Sequence, residues 1–395
     1  MDFEYTLEQD TFRKEFRGWL AATLPADLRV DDPVDDRVAS TRAMFERRVA
    51  WQKAMHKAGW VGIAWPREYG GRNASMIERV IWDEEYSAAH APVLPGMGLN
   101  LVGPTIIHWG SDAQKAQYLP RILSADEIWA QGFSEPGAGS DLASLRTRAE
   151  DKGDHFLVNG QKVWTSGAQY ADSIILLVRT DPSVPKHNGI SCLLVDMRAP
   201  GVSVRPLVLA TGHHHFNEVF FTDVMVPKSQ LLGPLNAGWK VSTTTLMYER
   251  HSSGARNPVG QVRDLIAVAR RLPVEGRTAW DDPRIRQRLS QLLIDCEAMK
   301  YTRFRALTRQ IRGEAPGPEG SILKLSGTEI GVRIADAAGE LLGMHALVNQ
   351  GSELVPDAPR WFNRLVAARQ YTISAGTSEI QRNIIGERVL GLPKG

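Results

Sequence analysis

Cysteine is almost missing from this sequence. Only Cys192 and Cys296 occur in 395 residues, so neither a disulfide framework nor a cysteine-rich metal site can be built within one chain, and a reducing compartment fits that usage. An excess of one charge is also missing. Lysine and arginine number 47 against 45 acidic residues, a formal net charge of +2 at pH 7; this gives no electrostatic case for a nucleic-acid or membrane-surface partner, while leaving room for substrate-sized anions. No apolar run approaches the roughly 20 residues a membrane helix needs. Asp2, Glu4, Glu8, Asp10 and Arg13 stand where a secretory signal would carry its apolar core, so no membrane partner and a cytoplasmic location are expected. Internal repeats and low-complexity tracts are absent as well. What remains is an ordinary globular composition, in a chain long enough for two or three structural units.

The texture changes twice along the chain. Thr6 and Gln9 make a capping-box pair, after which Phe12, Phe16, Trp19 and Leu20 recur on one helical face. Pro25 and the cluster Asp31-Asp32-Pro33 with Asp35-Asp36 break that helix before a second periodic stretch through Phe45, Val49, Met55 and Trp60. Helical pattern returns from Ile77 to Ala88 and from Gln114 to Leu123. The glycines between Pro95 and Gly103 suggest close packing or a bend beside a pocket. Near Trp129, short β-branched runs take over. His155 to Val158 and Gln161 to Trp164 flank Asn159-Gly160, which reads as a two-residue hairpin turn. Further strands are expected at Ser173 to Arg179, Ile190 to Asp196, Val202 to Pro206 and Glu218 to Val226, giving a compact antiparallel β-domain. From Gly238 to Leu390 the period is helical again, interrupted at Pro273 to Pro283 and Ala315 to Gly320. The order helical, β, helical is that of an α+β multidomain chain, with expected domains 1–128, 129–235 and 236–395.

The segment from Gly132 to Asp141 reads Gly-Phe-Ser-Glu-Pro-Gly-Ala-Gly-Ser-Asp. It is too rich in glycine, serine and proline for a core strand. Its hydroxyls and backbone N–H groups could wrap a polar ring or phosphates, although a plain surface turn has the same composition and is the commoner case. Gly137 and Gly139 lack the third glycine and the strand-to-helix context of a dinucleotide fingerprint, and Gly96 with Gly98 fails the same test. The run His213-His214-His215 has no spaced carboxylate or cysteine partner, and neighbouring side chains of an extended segment point to opposite faces; a solvated or packing role is expected rather than a metal.

Three segments, GFSEPGAGSDLASL, NGQKVWTSGAQYAD and GTSEIQRNIIGERVLG, resemble the signature segments of the acyl-CoA dehydrogenase family, in family order and spread along the chain. The resemblance implies an N-terminal α-helical domain, a central β-barrel and a C-terminal four-helix bundle, with FAD as cofactor. Carried over residue by residue, it implies that Phe133, Ser134, Gly139 and Ser140 lie along the flavin, Ser140 also near the acyl-CoA. Trp164 and Ser166 would contact the isoalloxazine ring, with a buried core tryptophan as the alternative for Trp164. Thr377 and Glu379 match a C-terminal segment that reaches the flavin, where Thr377 or Ser378 could also cap the last helix. The implied reaction removes the Cα proton of an acyl thioester and passes the Cβ hydrogen to the flavin, yielding a trans-2-enoyl-CoA, with an electron-transfer flavoprotein as acceptor.

The sequence departs from the family pattern in two places. Many members place a glutamate base immediately before the Gly-Thr of the last motif, where this chain has Ala375. A second family location is a glutamate on the first long helix after the β-domain, which makes Glu249 the candidate base; its helical neighbours Thr245, Leu246, Ser252 and Ser253 are uncharged. A solvated ion pair is the alternative for Glu249, and Arg250 is either a substrate contact or a structural partner. His251 is read as packing. The second departure concerns the adenine end of FAD. Only Arg277 stands for the family's Arg-x-x-Phe-Gly segment, and Glu340-Leu341-Leu342-Gly343-Met344 replaces Gln-x-x-Gly-Gly. Two assemblies are therefore expected, a homotetramer or an α2β2 heterotetramer with a related subunit. Gly96, Gly98, Gly103 and the small Ala375 suggest a roomy acyl pocket. A flavin oxidase or monooxygenase on the same fold, or a non-catalytic partner subunit, are the other functional classes.

Overall fold

The structure, a computed structural model, describes residues 5–30, 41–253, 258–312, 319–348 and 358–393. It divides into two compact units, Met1–Tyr248 and Glu249–Gly395.

The first unit opens with helices whose starts are written in local chemistry. Helix α1 (Leu7–Thr23) begins on the Thr6/Gln9 capping box. Helix α2 (Arg42–Lys57) is capped by Thr41 and stops at Gly59, a left-handed glycine, so Trp60 lies beyond it. Helix α3 (Met76–Ala88) starts on a Ser75/Glu78 box and α5 (Asp112–Leu123) on a Ser111/Gln114 box. Between them, a π-helical turn at Gly98–Val102 runs into α4 (Gly103–Trp109). Phe16, Trp51, Met55, Trp60 and Trp65 fill the core that these helices share.

The glycines around this turn are packing sites. A Cβ on Gly103 would lie 2.1 Å from the Trp65 ring, and one on Gly98 would press on Ile122 at 3.1 Å. The room expected from Gly98 and Gly103 is therefore taken by large neighbours, because a missing side chain lets another fill its volume.

The β-domain contains strands β1 (Trp129–Gly132), β2 (Arg148–Asp151), β3 (His155–Lys162), β4 (Ser173–Arg179), β5 (Ile190–Asp196), β6 (Val202–Leu207) and β7 (Phe216–Pro227). They form one curled sheet in the order β1-β4-β2-β3-β7-β6, with β5 on β4. It is mixed rather than antiparallel throughout, since β1 runs parallel to β4, pairing Trp129 with Ser173. Both β4 and β5 are apolar and buried on both faces along most of their length, as central strands require.

The hairpin expected at Asn159-Gly160 does not form. Strand β3 runs straight through both residues and makes a bulge against β7, where the register shifts between Val158 and Gly160. Asn159 and Asp223 clip the bulge, the Asn159 amide donating to the Asp223 carboxylate at 2.9 Å and the Asp223 N–H donating to Asn159 Oδ1 at 3.0 Å. A Cβ on Gly160 would sit 2.6 Å from the Thr147 Cα, so glycine is needed there for close approach, not for reversal. The actual reversal is Lys152-Gly153-Asp154, between β2 and β3, with Gly153 at φ 94°.

The second unit is helical. Helix α6 (Gly238–Ser253) carries the chain across the division. Then follow α7 (Val259–Arg271), α8 (Pro283–Ile311), α9 (Glu319–Leu342), α10 (Ala358–Ile373) and α11 (Ser378–Arg388). Val262, Leu265, Leu292, Cys296, Ile334, Ala338 and Trp361 pack together as their core. A small ribbon joins α7 to α8, Pro273–Val274 pairing with Arg277–Thr278. Glu275 and Gly276, at φ 47° and 77°, make its two-residue turn, of the kind expected at Asn159-Gly160.

Candidate active site

The end of β1 releases the glycine-rich loop. Phe133 is buried, Ser134 half-buried, and Gly139 and Ser140 are exposed. The loop folds back on itself at Pro136-Gly137, with Glu135 and Ala138 exchanging two backbone bonds of 3.0 Å. A Cβ on Gly137 or on Gly139 would meet nothing within 4 Å, and neither has a positive φ. Packing and backbone conformation leave the glycine choice there unexplained. Close approach of a bound group would account for it.

Glu135 ties this loop to the sheet. Its carboxylate is buried and accepts bonds from the Arg146 N–H at 2.7 Å, the Thr147 N–H at 2.8 Å and the Lys162 ammonium at 2.8 Å. Lys162 is fully buried and also donates to the Phe133 carbonyl at 3.0 Å. Burial pushes the Lys162 ammonium down to about 8, even with Glu135 drawing it upward. Burial would raise the Glu135 carboxyl, but Lys162 and the donated hydrogen bonds outweigh it and hold the group below the usual range.

Two residues beyond Lys162, Trp164 adopts a left-handed backbone at φ 59° and leaves 57% of its surface exposed. It is not the core tryptophan that was the alternative. Among the described aromatic residues its ring meets that of Phe216, perpendicular to it at 5.8 Å and 90°. The backbone on either side is pinned: Val163 N–H donates to the Ser134 carbonyl at 2.9 Å and Thr165 N–H to the Asn217 carbonyl at 3.0 Å. Ser166 is half-buried, whereas the Thr165 hydroxyl is sealed from solvent without a hydrogen-bond partner among the described residues. Of these adjacent hydroxyls, Ser166 is the one a ligand can reach. An exposed aromatic wall beside open backbone and hydroxyl donors suits a planar, polar-edged ring such as a flavin.

The bonds of Lys162 to the Phe133 carbonyl and of Val163 to the Ser134 carbonyl thus bring Phe133 and Ser134 beside the segment that carries Trp164 and Ser166, Gly139 and Ser140 following on the same loop as Ser134. Thr377 and Glu379 belong to the second unit. Thr377 caps α11, accepting the Ile380 N–H at 3.2 Å, as the sequence suggested. Glu379 is exposed. Ala375 and Gly376 turn the chain at φ 54° and 87°, and their carbonyls accept from the Gln381 side chain, with Lys324 also donating to Gly376 at 2.6 Å. Glu249 and Arg250 lie on α6, but their side chains fall outside the described residues, as do His251, Ser252 and Ser253. One turn earlier Thr245 is buried, its hydroxyl 3.0 Å from that of Thr105, and Leu246 is half-buried. Arg277 is exposed, and Glu340 is paired with Arg288 inside the second unit.

Sequence reasoning missed Glu135, Lys162 and Asn217. A signal for Lys162 was present: Phe156, Val158 and Lys162 alternate onto the buried face of β3, and a lysine on an apolar face needs a partner.

Comparison with known proteins places these features in context. Family models described as the N-terminal, middle and C-terminal domains of acyl-CoA dehydrogenase match residues 6–126, 130–224 and 236–390. The chain is 38% identical over 389 residues to the acyl-CoA dehydrogenase IpdE1 of Mycobacterium tuberculosis, covering 98% of each chain. Among solved structures, the Tcur3481-Tcur3483 steroid ACAD superposes with a TM-score of 0.86 at 32% identity, covering 100% of both chains. The ChsE4-ChsE5 complex from Mycobacterium tuberculosis gives 0.84 at 35% identity, again covering 100% of both chains. With all three domains matched and relatives aligned end to end, the chain belongs to the acyl-CoA dehydrogenase family and is an oxidoreductase acting on acyl-CoA.

Proposed function

We propose that the chain catalyses FAD-dependent α,β-dehydrogenation of an acyl-CoA thioester to the trans-2-enoyl-CoA, with Glu249 as the base that takes the Cα proton. The observation that carries the reading is Trp164, exposed and held in a left-handed backbone beside the glycine-rich loop. When bound, FAD supplies a hydride acceptor for the Cβ hydrogen. Phe133, Ser134, Gly139, Ser140, Trp164 and Ser166 hold its ring, and Trp164 keeps water from the reacting carbons. Thr377 and Glu379 are further flavin contacts, Ser140 and Arg250 touch the acyl-CoA, and an electron-transfer flavoprotein takes the electrons. Ala375 cannot accept a proton, which leaves the role to Glu249. The steroid name of a relative matched over its whole length supports a ring-bearing acyl group.

We also propose domains of 1–128, 129–235 and 236–395, a cytoplasmic location, and an α2β2 assembly in which a related subunit completes the adenine end of the flavin site. Two relatives are named as two-component complexes. Glu340, where a polar amide is the family pattern, supports the last point, since a carboxylate suits a pyrophosphate badly. In an anaerobic titration, the wild-type flavin bleaches on adding acyl-CoA. Glu249→Gln keeps its flavin and bleaches at least ~10³-fold more slowly, as loss of a general base requires; undiminished bleaching would remove Glu249 from the mechanism.

A further inference from the structure

We propose that Lys162 and Glu135 form a positioning clamp that sets the path of the glycine-rich loop and the attitude of Trp164, and through them the seat of the flavin ring. The inference rests on the flavin reading above.

The pair gathers three segments at one point, Phe133 to Glu135 leaving β1, Arg146 and Thr147 entering β2, and the end of β3. All four polar contacts of the pair are satisfied between 2.7 and 3.0 Å. A buried ion pair is a poor device for stability alone, because apolar residues of similar volume commonly serve as well; its attested use is to fix one arrangement among several. Two residues further on, Trp164 occupies a strained backbone region, which persists only where the surroundings over-determine it. Its own exposed ring cannot supply that determination. The pinning comes from Val163 on Ser134 and Thr165 on Asn217, and the first of these exists only while Phe133 to Glu135 keep their path. The charge around the clamp is asymmetric as well. Lys162 faces Glu135 from the loop, Arg179 from β4 and the Cys192 thiol from β5, and Arg179 itself donates to the carbonyls of Ala143 and Leu145. Cys192 is driven far up by burial and stays neutral. Among the described residues Lys162 has a single carboxylate partner, so neither member can turn away without leaving a charge unpaired.

The test is the double substitution Glu135→Gln/Lys162→Met in the full chain, purified with its partner subunit where one co-purifies. The glutamine still accepts a backbone N–H and can donate to the Phe133 carbonyl. With far-UV circular dichroism and melting close to wild type, amide exchange at residues 133–135 and 163–167 should rise about tenfold or more, as expected when a local restraint is lost. Flavin should dissociate about tenfold more readily, with altered fine structure of its visible band. Unchanged exchange, affinity and band shape would overturn the clamp while leaving the flavin reading in place. Faster exchange in a chain whose wild type binds no flavin would uphold the restraint and remove its flavin role. Should the double variant not fold, Glu135→Gln alone must show the same changes in smaller measure, and wild-type behaviour there also overturns the proposal.

Discussion

Trp164 presents a large aromatic surface to solvent on a left-handed backbone, a pairing that folding stability does not favour. Substituting Trp164→Gly removes strain of about 1 kcal/mol and little packing. The denaturation midpoint should hold or rise, while flavin retention and bleaching by acyl-CoA fall about tenfold or more; parallel losses of both would mark Trp164 as structural. Lys162 makes a second prediction, in pH. Its folded value of about 8 lies below the ordinary lysine value, so between pH 8 and about 10.4 the native state binds fewer protons than the unfolded one. The contribution is full above the unfolded value and lost as pH falls through the folded one. The stability of wild type relative to Lys162→Met should therefore climb across that window, as measured by urea unfolding at several pH values. A flat difference would place the native lysine at its ordinary value.

Among the elements, β3 shows where local chemistry yields to tertiary packing. Gly160→Ala brings a Cβ within 2.6 Å of the Thr147 Cα, a backbone clash that should cost about 2–3 kcal/mol in chemical denaturation. A neutral result would mean that β2 can slide. The same contact explains what could be read beforehand. The Thr6/Gln9 cap and the apolar runs Ser173–Arg179 and Ile190–Asp196 depend on residues close in sequence, and all three appear at the expected bounds. Asn159-Gly160 carries the same local signal as a turn, but Thr147 and Asp223 decide its fate. The space beside Gly98 and Gly103 is likewise decided by Ile122 and Trp65. In the site, Trp164 and Ser134 were legible only because their motif is familiar. The Glu135 to Lys162 link spans 27 positions and had no signal beyond a lysine out of place on β3.

Assembly belongs to the scale of the whole molecule. Light scattering of the chain purified with the related subunit should give an α2β2 mass, with fewer than one FAD per chain when this subunit is prepared alone. One tightly held FAD per chain in a homotetramer would defeat the obligatory partner. The sheet itself has a consequence for synthesis. Strand β3 is bridged to β6 through β7 in the observed order, and its residues pair with partners 57 to 72 positions later, so a long loop must close before that ladder can form. At roughly 5–20 residues per second, the ribosome delivers each β7 partner about 3–14 s after its β3 residue. Until then Phe156 and Val158 have only β2 beside them, and the nascent chain depends on slow aggregation, or on a chaperone, for the interval in which its longest strand is still unmade.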